Sequence, residues 1–162
     1  MKTTFQSQGT ATDFIQETAV EKESTVKALL EQIPLHQNLS PLDGKILKYF
    51  IYNLDENYFL DLNFTETATK FNVTEEYLLH ILYLLQTFEP IGVGARNRIE
   101  FLIIQIDQDL HAPPLASKFV KYHLDKVASL ALKYLSNHYQ ISLNETKNIV
   151  QYIRSLNPTW KN

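Results

Sequence analysis

Two strongly periodic apolar stretches, joined by a segment that holds two of the four glycines, constrain the fold of this chain more than any other feature. Upstream of the join, the spacing of one helical face is followed by Tyr77, Leu78, Ile81, Leu82 and Leu85. Downstream, it is followed by Ile99, Leu102, Ile103, Ile106 and Leu110. Between them, Pro90 disfavours helical geometry at Glu89, while Gly92 and Gly94 allow backbone angles that other residues resist. The pattern predicts a helix that stops and a second that starts around a glycine turn.

The same spacing predicts helices along most of the chain. Their expected ranges are 24–33, 41–54, 65–71, 75–86, 97–109, 115–127, 129–137 and 143–155. Predicted N-caps are Ser24, Ser40, Thr74 and Ser142, the last in a capping box with Glu145. Residues 1–23 are rich in Thr, Gln and Ser with few apolar side chains, so we expect a loosely ordered arm there.

A change of charge coincides with a helix-breaking segment. Residues 1–114 carry 8 Lys and Arg against 16 Asp and Glu, whereas residues 115–162 carry 7 against 2. The segment 111–114, HAPP, cannot sustain a helix. We therefore expect an all-α fold of two helical subdomains, 24–110 and 115–158. The asymmetry suggests different partners for the two halves, or simply two differently decorated solvated faces.

Both halves contain a helix-turn-helix-like pattern. The segment 71–90 aligns without gaps on 139–158, which indicates an internal repeat, although shared capping and packing rules can also produce such an alignment. In the first copy the second helix starts with Glu75 and Glu76, which repel phosphate, so a packing or protein-binding role is favoured over DNA recognition. The second copy carries Lys147 and Arg154 and is more compatible with nucleic acid.

No catalytic constellation emerges from the sequence. Gly92-Val93-Gly94 lacks the Gly-Lys-Ser/Thr of a phosphate loop. There is no cysteine, and the five histidines do not share a ligand spacing. No apolar run approaches the length of a membrane helix, and the first ten residues do not resemble a signal peptide. We expect a cytoplasmic protein that is not an enzyme, with no metal, cofactor, membrane partner or small-molecule substrate.

The join between the two periodic stretches resembles a known family. Residues 88–96, FEPIGVGAR, followed by Glu100, Leu102 and Gln105, resemble the F-D-P-x-G-V-G-A-R-x-x-x-E-C-L-x-x-Q signature in the core-binding region of bacterial sigma-54 factors. Three further segments agree in the same order: 29–33, 53–57 and 153–158. The departures are Tyr58 at a family glycine, Phe101 at the common cysteine, and Thr159-Trp160 near the end of the chain.

The resemblance implies a core-binding domain of a sigma-54-type transcription initiation factor, whose partner is core RNA polymerase. It also implies a fragment, in which promoter DNA and an AAA+ activator are met only by parts of the full-length protein missing here. The signature carries a core-polymerase-binding role onto Pro90, Gly92, Val93, Gly94, Ala95, Arg96, Glu100 and Gln105.

Two interpretations of charged residues stay open. Arg96 and Glu100 lie four apart, so they either brace the glycine turn as a pair or leave Arg96 to meet an acidic partner surface; bracing is slightly favoured. The alternative function is nucleic-acid binding through the basic C-terminal third. Its candidate phosphate contacts are Lys118, Lys121, Lys126, Lys133, Lys147 and Arg154.

Overall fold

The computed structural model describes residues 11–156 of the chain, and the side chains from residue 19 onward. Within that range it contains eight α-helices and no strand. They are α1 (Ala11–Gln32), α2 (Pro41–Tyr52), α3 (Phe64–Phe71), α4 (Glu75–Leu85), α5 (Arg98–Asp107), α6 (Ala116–Ala128), α7 (Leu132–Tyr139) and α8 (Leu143–Ser155). The all-α prediction is confirmed. None of the described helices is long and apolar enough to cross a membrane.

The first helix starts earlier than its sequence pattern predicted. Helix α1 begins at Ala11, so Ser24 lies inside it and is not an N-cap. Residues 11–23 contain no Gly or Pro and several good helix formers, and each residue added to an existing helix gains one hydrogen bond. Val20, the large apolar side chain described in this stretch, is exposed. The rest of the predicted arm, residues 1–10, lies outside the described residues.

Helices α1 to α4 enclose one apolar core. Its fully buried side chains include Leu29 of α1, Phe50 of α2, and Leu82 of α4. Val93, from the glycine turn, is buried in the same core. The predicted cap of α2 is confirmed: the Ser40 hydroxyl accepts a hydrogen bond from the Asp43 amide, and the Asp43 carboxylate accepts one from the Ser40 amide.

A second core forms between α5, α6, α7 and α8. Its members include Phe119, Leu135 and Ile149. Leu102 and Ile106 of α5 pack here, although the predicted boundary assigned them to the first subdomain. The reason is that an apolar stripe shows that a helix face is buried without showing which neighbour covers it. The exact division of the chain into subdomains stays a prediction.

The α3–α4 and α7–α8 pairs have the same turn, 68 residues apart in sequence. Each first helix ends in a residue with left-handed backbone angles, Asn72 and Gln140, both at φ 54°. The next residue donates its amide back into the first helix, and Thr74 or Ser142 then caps the second helix. At Ser142 only half of the predicted capping box is formed: its hydroxyl accepts from the Glu145 amide, but the reciprocal bond is not present within the described residues.

Candidate functional site

The glycine turn between α4 and α5 requires both of its glycines. Gly92 has φ +96° and Gly94 has φ +80°, in the region that side chains with a Cβ rarely adopt. Two hydrogen bonds close the turn: the Val93 amide donates to the Pro90 carbonyl, and the Ala95 amide donates to the Gly92 carbonyl. The backbone is therefore reversed in a few residues, with the side chain of Val93 pointing into the first core.

A close approach to α5 adds a second constraint on Gly92. A Cβ placed on Gly92 would lie 2.2 Å from Cε2 of Phe101, whereas one on Gly94 would lie 3.0 Å from Cδ2 of Leu85. Phe101 is buried, and its ring packs against Phe59 with centroids 5.5 Å apart. The space beside the hydrogen of Gly92 thus accommodates the phenylalanine that stands where the family commonly has cysteine.

The loop between α2 and α3 pairs with the turn through its backbone. The Gly94 amide donates to the Tyr58 carbonyl over 3.0 Å, and the Leu60 amide donates to the Ala95 carbonyl over 2.9 Å. Tyr58 itself has φ +60°. It therefore adopts a left-handed conformation, which glycine, the residue common at this family position, occupies without strain, whereas tyrosine does so at a cost of about 1–2 kcal/mol.

A glutamine of α1 holds the start of the turn from the other side. The Gln32 side chain donates from Nε2 to the Glu89 carbonyl over 2.5 Å and accepts from the Glu89 amide over 2.9 Å. Next to it, the ring of His36 stacks on Phe88 with centroids 4.9 Å apart. Two sequence segments that carry the family resemblance, 29–33 and 88–96, therefore meet in space.

On the side of the turn next to α5, Glu100 accepts hydrogen bonds from several donors. Its carboxylate accepts from Arg96 Nε at 3.0 Å, from Arg96 Nη2 at 2.6 Å and from the Arg96 amide at 3.1 Å. Nε2 of Gln86 also donates to it, over 2.6 Å, and to the Gly94 carbonyl over 3.1 Å. The hydrogen bond to Glu100 raises the pKa of Arg96, so the guanidinium stays charged. The pair predicted to brace the turn is formed.

Most of the predicted site residues are enclosed. Gly92, Val93, Gly94 and Ala95 are buried. Pro90, Glu100 and Gln105 are half-buried, and Gln105 donates from Nε2 to the Phe101 carbonyl. Arg96 is the exposed member of the set, with 38% of its side chain accessible. The structure brings all eight residues to one turn and the helix that follows it, but only Arg96 among them is exposed.

Comparison with known proteins identifies the family of this chain. The family described as "Sigma-54 factor, core binding domain" matches residues 14–160. The chain belongs to the sigma-54 core-binding-domain family. The RNA polymerase sigma-54 factor of Bacillus subtilis (strain 168) is 31% identical over 136 residues, which are 84% of this chain and 31% of that protein. That of Xanthomonas euvesicatoria is 33% identical over 149 residues, 88% of this chain and 31% of its own length. The chain therefore spans about three tenths of the length of these relatives.

Three apolar side chains around the glycine turn are exposed, and the sequence pattern did not predict their exposure. They are Tyr83, Ile91 and Ile99, which are 51%, 48% and 40% exposed. Ile99 was predicted on the buried stripe. It is exposed because α5 begins only at Arg98, so Ile99 belongs to the first turn, at the end of the helix near the surface. Leu110, also placed on the stripe, is 97% exposed because α5 ends before it, at Asp107.

The basic side chains of the sigma-54 domain's C-terminal third are spread over three helices. Lys118, Lys121, Lys133, Lys147 and Arg154 are exposed, and Lys126 is half-buried. Nζ of Lys126 lies 4.8 Å from the ring centroid of Tyr134, and that of Lys121 lies 5.2 Å from the ring centroid of Tyr122. Lys147 and Arg154 lie two helical turns apart on α8, so they share one face. The six basic side chains therefore do not lie on a single helix.

The histidines are closer in space than their spacing suggested. The rings of His123 and His138 have centroids 4.7 Å apart, and His123 lies at a kink in α6. Across the described residues, however, no group of three or more His, Cys, Asp or Glu side chains is placed to hold a metal ion. The pair packs among Tyr134 and Tyr139 as part of an aromatic cluster.

Proposed function

We propose that this domain binds core RNA polymerase as the core-binding part of a sigma-54-type transcription initiation factor. The single observation that carries the proposal is the match to the sigma-54 core-binding-domain family over residues 14–160. The structure adds support, because the signature residues form one hydrogen-bonded turn held by α1, the 55–60 loop and Glu100. In this role the domain acts in the cytoplasm by binding alone, without a catalysed step or a cofactor.

The physical basis of such binding is preorganisation. Association costs free energy for every loop or side chain that becomes ordered at the interface. Here the turn is already fixed by backbone bonds to Tyr58 and Leu60 and by the side chains of Gln32 and Gln86. A partner that docks on it therefore loses little affinity to ordering. In the longer protein, promoter DNA and an AAA+ activator would be engaged by regions outside this domain.

A direct binding measurement tests the proposal. The domain, labelled with a fluorophore on an added N-terminal cysteine, is titrated with purified core RNA polymerase, and anisotropy is recorded. We expect saturable binding with a Kd below about 10 μM, and competition by an unlabelled full-length sigma-54 factor. A matched control is Lys147→Glu with Arg154→Glu, which changes the charge of α8 while leaving the turn intact. Absence of saturable binding by the parent domain, or failure of the full-length factor to compete, would refute the proposal.

The second candidate function is nucleic-acid binding by the second helix-turn-helix-like element. The observation that favours it is the exposed Lys147 and Arg154 on one face of α8, the second helix of that pair. Phosphate contacts release counterions, so duplex binding by these residues would weaken steeply as salt is raised. Titration of a labelled duplex at several salt concentrations, with the Lys147→Glu and Arg154→Glu variant as comparison, tests it. A flat salt response or an unchanged variant removes this candidate.

A further inference from the structure

Because the centre of the signature turn is buried, other side chains must make the contact with a partner. Gly92, Val93, Gly94 and Ala95 are inaccessible, so their identity is explained by the backbone conformation and by packing. Glu100 is occupied by donors from Arg96 and Gln86. A partner that approaches this part of the domain therefore meets other side chains, namely those that the turn and its two flanking helices display.

From the exposed side chains around the turn we define four as the turn surface: Tyr83 of α4, Ile91 of the turn, Arg96, and Ile99 of α5. The hydrogen bond to Glu100 raises the pKa of the Arg96 guanidinium, and the Tyr83 phenol raises it further. Ile99 follows Arg96 by three residues. The hydrogen bond from Gln86 to Glu100 joins the end of α4 to the first turn of α5, across 14 residues of sequence.

We propose that the turn surface is the contact by which the domain engages core RNA polymerase, through an apolar patch of the polymerase that offers a carbonyl or carboxylate acceptor to Arg96. The inference rests on the proposed function and deepens it. Tyrosine, isoleucine and arginine are residue types that occupy the centres of protein interfaces, where arginine and tyrosine carry much of the binding energy.

The local charge argues for a protein partner over a nucleic acid. Arg96 is paired with Glu100, and the exposed charged side chains nearest to it along the chain are Glu89 and Arg98, one of each sign. The charges around the turn therefore balance, and such a surface offers no net attraction to phosphate. An apolar contact with one oriented donor does not require a net charge. Binding through it should depend weakly on salt.

The orientation of Arg96 is fixed before the partner arrives. Glu100 holds the Nε and Nη2 side of the guanidinium, and Glu100 itself is positioned by Gln86 and by the cap of α5. A side chain held in this way loses little rotamer freedom on binding. The buried signature residues then have an indirect role, in that they set the place and direction of the side chains that make contact.

The test compares three single variants on the turn surface with two controls away from it. Tyr83→Ala, Ile99→Asp and Arg96→Glu are each measured by the anisotropy titration with core RNA polymerase and by urea denaturation. Ile99→Asp is compatible with folding, because an acidic residue suits the first turn of a helix. Leu110→Asp and Leu143→Asp, at exposed leucines outside the surface, are the controls.

We expect each turn-surface variant to weaken binding about tenfold while its urea curve shows that it is still folded in the titration buffer, and the controls to bind within about twofold of the parent. Raising KCl from about 50 to about 300 mM should change the parent Kd less than about threefold. If the parent binds while all three variants bind like it, or if the controls weaken binding equally, the inference is overturned and the proposed function stands. A steep salt slope also overturns it. If the parent does not bind, the proposed function itself fails.

Discussion

Replacement of Gly92 by alanine should destabilise the domain through two separable effects, and a double-mutant cycle with Phe101 can measure each. The first effect is the positive φ of +96°, which an alanine occupies at a cost of about 1–2 kcal/mol. The second is overpacking, because the new Cβ would lie 2.2 Å from Cε2 of Phe101, and a well-packed neighbour that must move costs about 1–3 kcal/mol. Gly92→Ala should therefore lower the free energy of unfolding by about 2–5 kcal/mol.

The cycle uses Phe101→Cys, the residue common at this family position. Alone, it leaves a cavity beside Phe59 and should cost about 2–4 kcal/mol. In the double variant the ring is gone, so the overpacking of Gly92→Ala disappears and only the backbone cost remains. The two changes together should cost about 1–3 kcal/mol less than the sum of the single changes.

The measurement is urea denaturation followed by far-ultraviolet circular dichroism, at low temperature so that the least stable variant is still folded. Gly94→Ala is the matched control: its φ is also positive, but its Cβ would meet the flexible end of Leu85 at 3.0 Å. It should show no coupling to Phe101→Cys. Additive costs for Gly92→Ala and Phe101→Cys, within about 0.5 kcal/mol, would refute the reasoning that Phe101 occupies the space of the missing side chain.

Three further predictions concern stability. Glu100→Ala should cost about 1–3 kcal/mol in the free energy of unfolding, because it removes the charged acceptor of the buried Gln86 amide, which keeps its bond to the Gly94 carbonyl, and also the acceptor of the Arg96 amide. Arg96→Ala should cost less than about 1 kcal/mol. Equal urea midpoints for the two variants would contradict this. Gln140→Gly should raise the free energy of unfolding by about 0.5–1 kcal/mol, because Gln140 is exposed at φ 54°, a backbone angle that glycine adopts without strain. Asn72→Gly should change it less, since asparagine tolerates that conformation. Thermal melting of both variants provides the comparison. Burial and the hydrogen bond to Asp109 raise the pKa of Tyr152 to about 12, above its ordinary 10.0, so stability should fall as the pH rises from 10.0 through about 12. That alkaline loss should be smaller in Tyr152→Phe, and identical pH profiles for variant and parent would count against it.

Local features of the chain were predictable because the interactions that set them span only a few residues. The caps at Ser40 and Thr74 act on amides three residues away, and the ion pair between Arg96 and Glu100 spans four. The turn at residues 90–95 is similarly local, because proline and glycine restrict or free their own backbone angles. The family resemblance added the expectation that this turn matters, and the chain does belong to the sigma-54 core-binding-domain family.

The contacts that complete the site could not be read from sequence spacing. Gln32 reaches Glu89 across 57 residues, and Gln86 reaches Glu100 across 14. Gln32 is the last residue of α1 and Gln86 directly follows α4, and neither belongs to an apolar stripe. The hydrophobic spacing therefore did not mark them, and the family resemblance included Gln32 without assigning it a contact. Ile99 was assigned to the buried face because its spacing fits the stripe, and only the position of the helix start exposes it.

The sequence by itself determined that the chain is all-helical, where most of its helices lie, and that a glycine turn links α4 to α5. These follow from periodicity, capping and backbone restriction, which are properties of neighbouring residues. The tertiary structure decided which core α5 joins, how far α1 extends, and which side chains around the turn face outward. Those outcomes depend on the packing of distant segments against one another, and a stripe of apolar residues records that a face is buried without recording its partner.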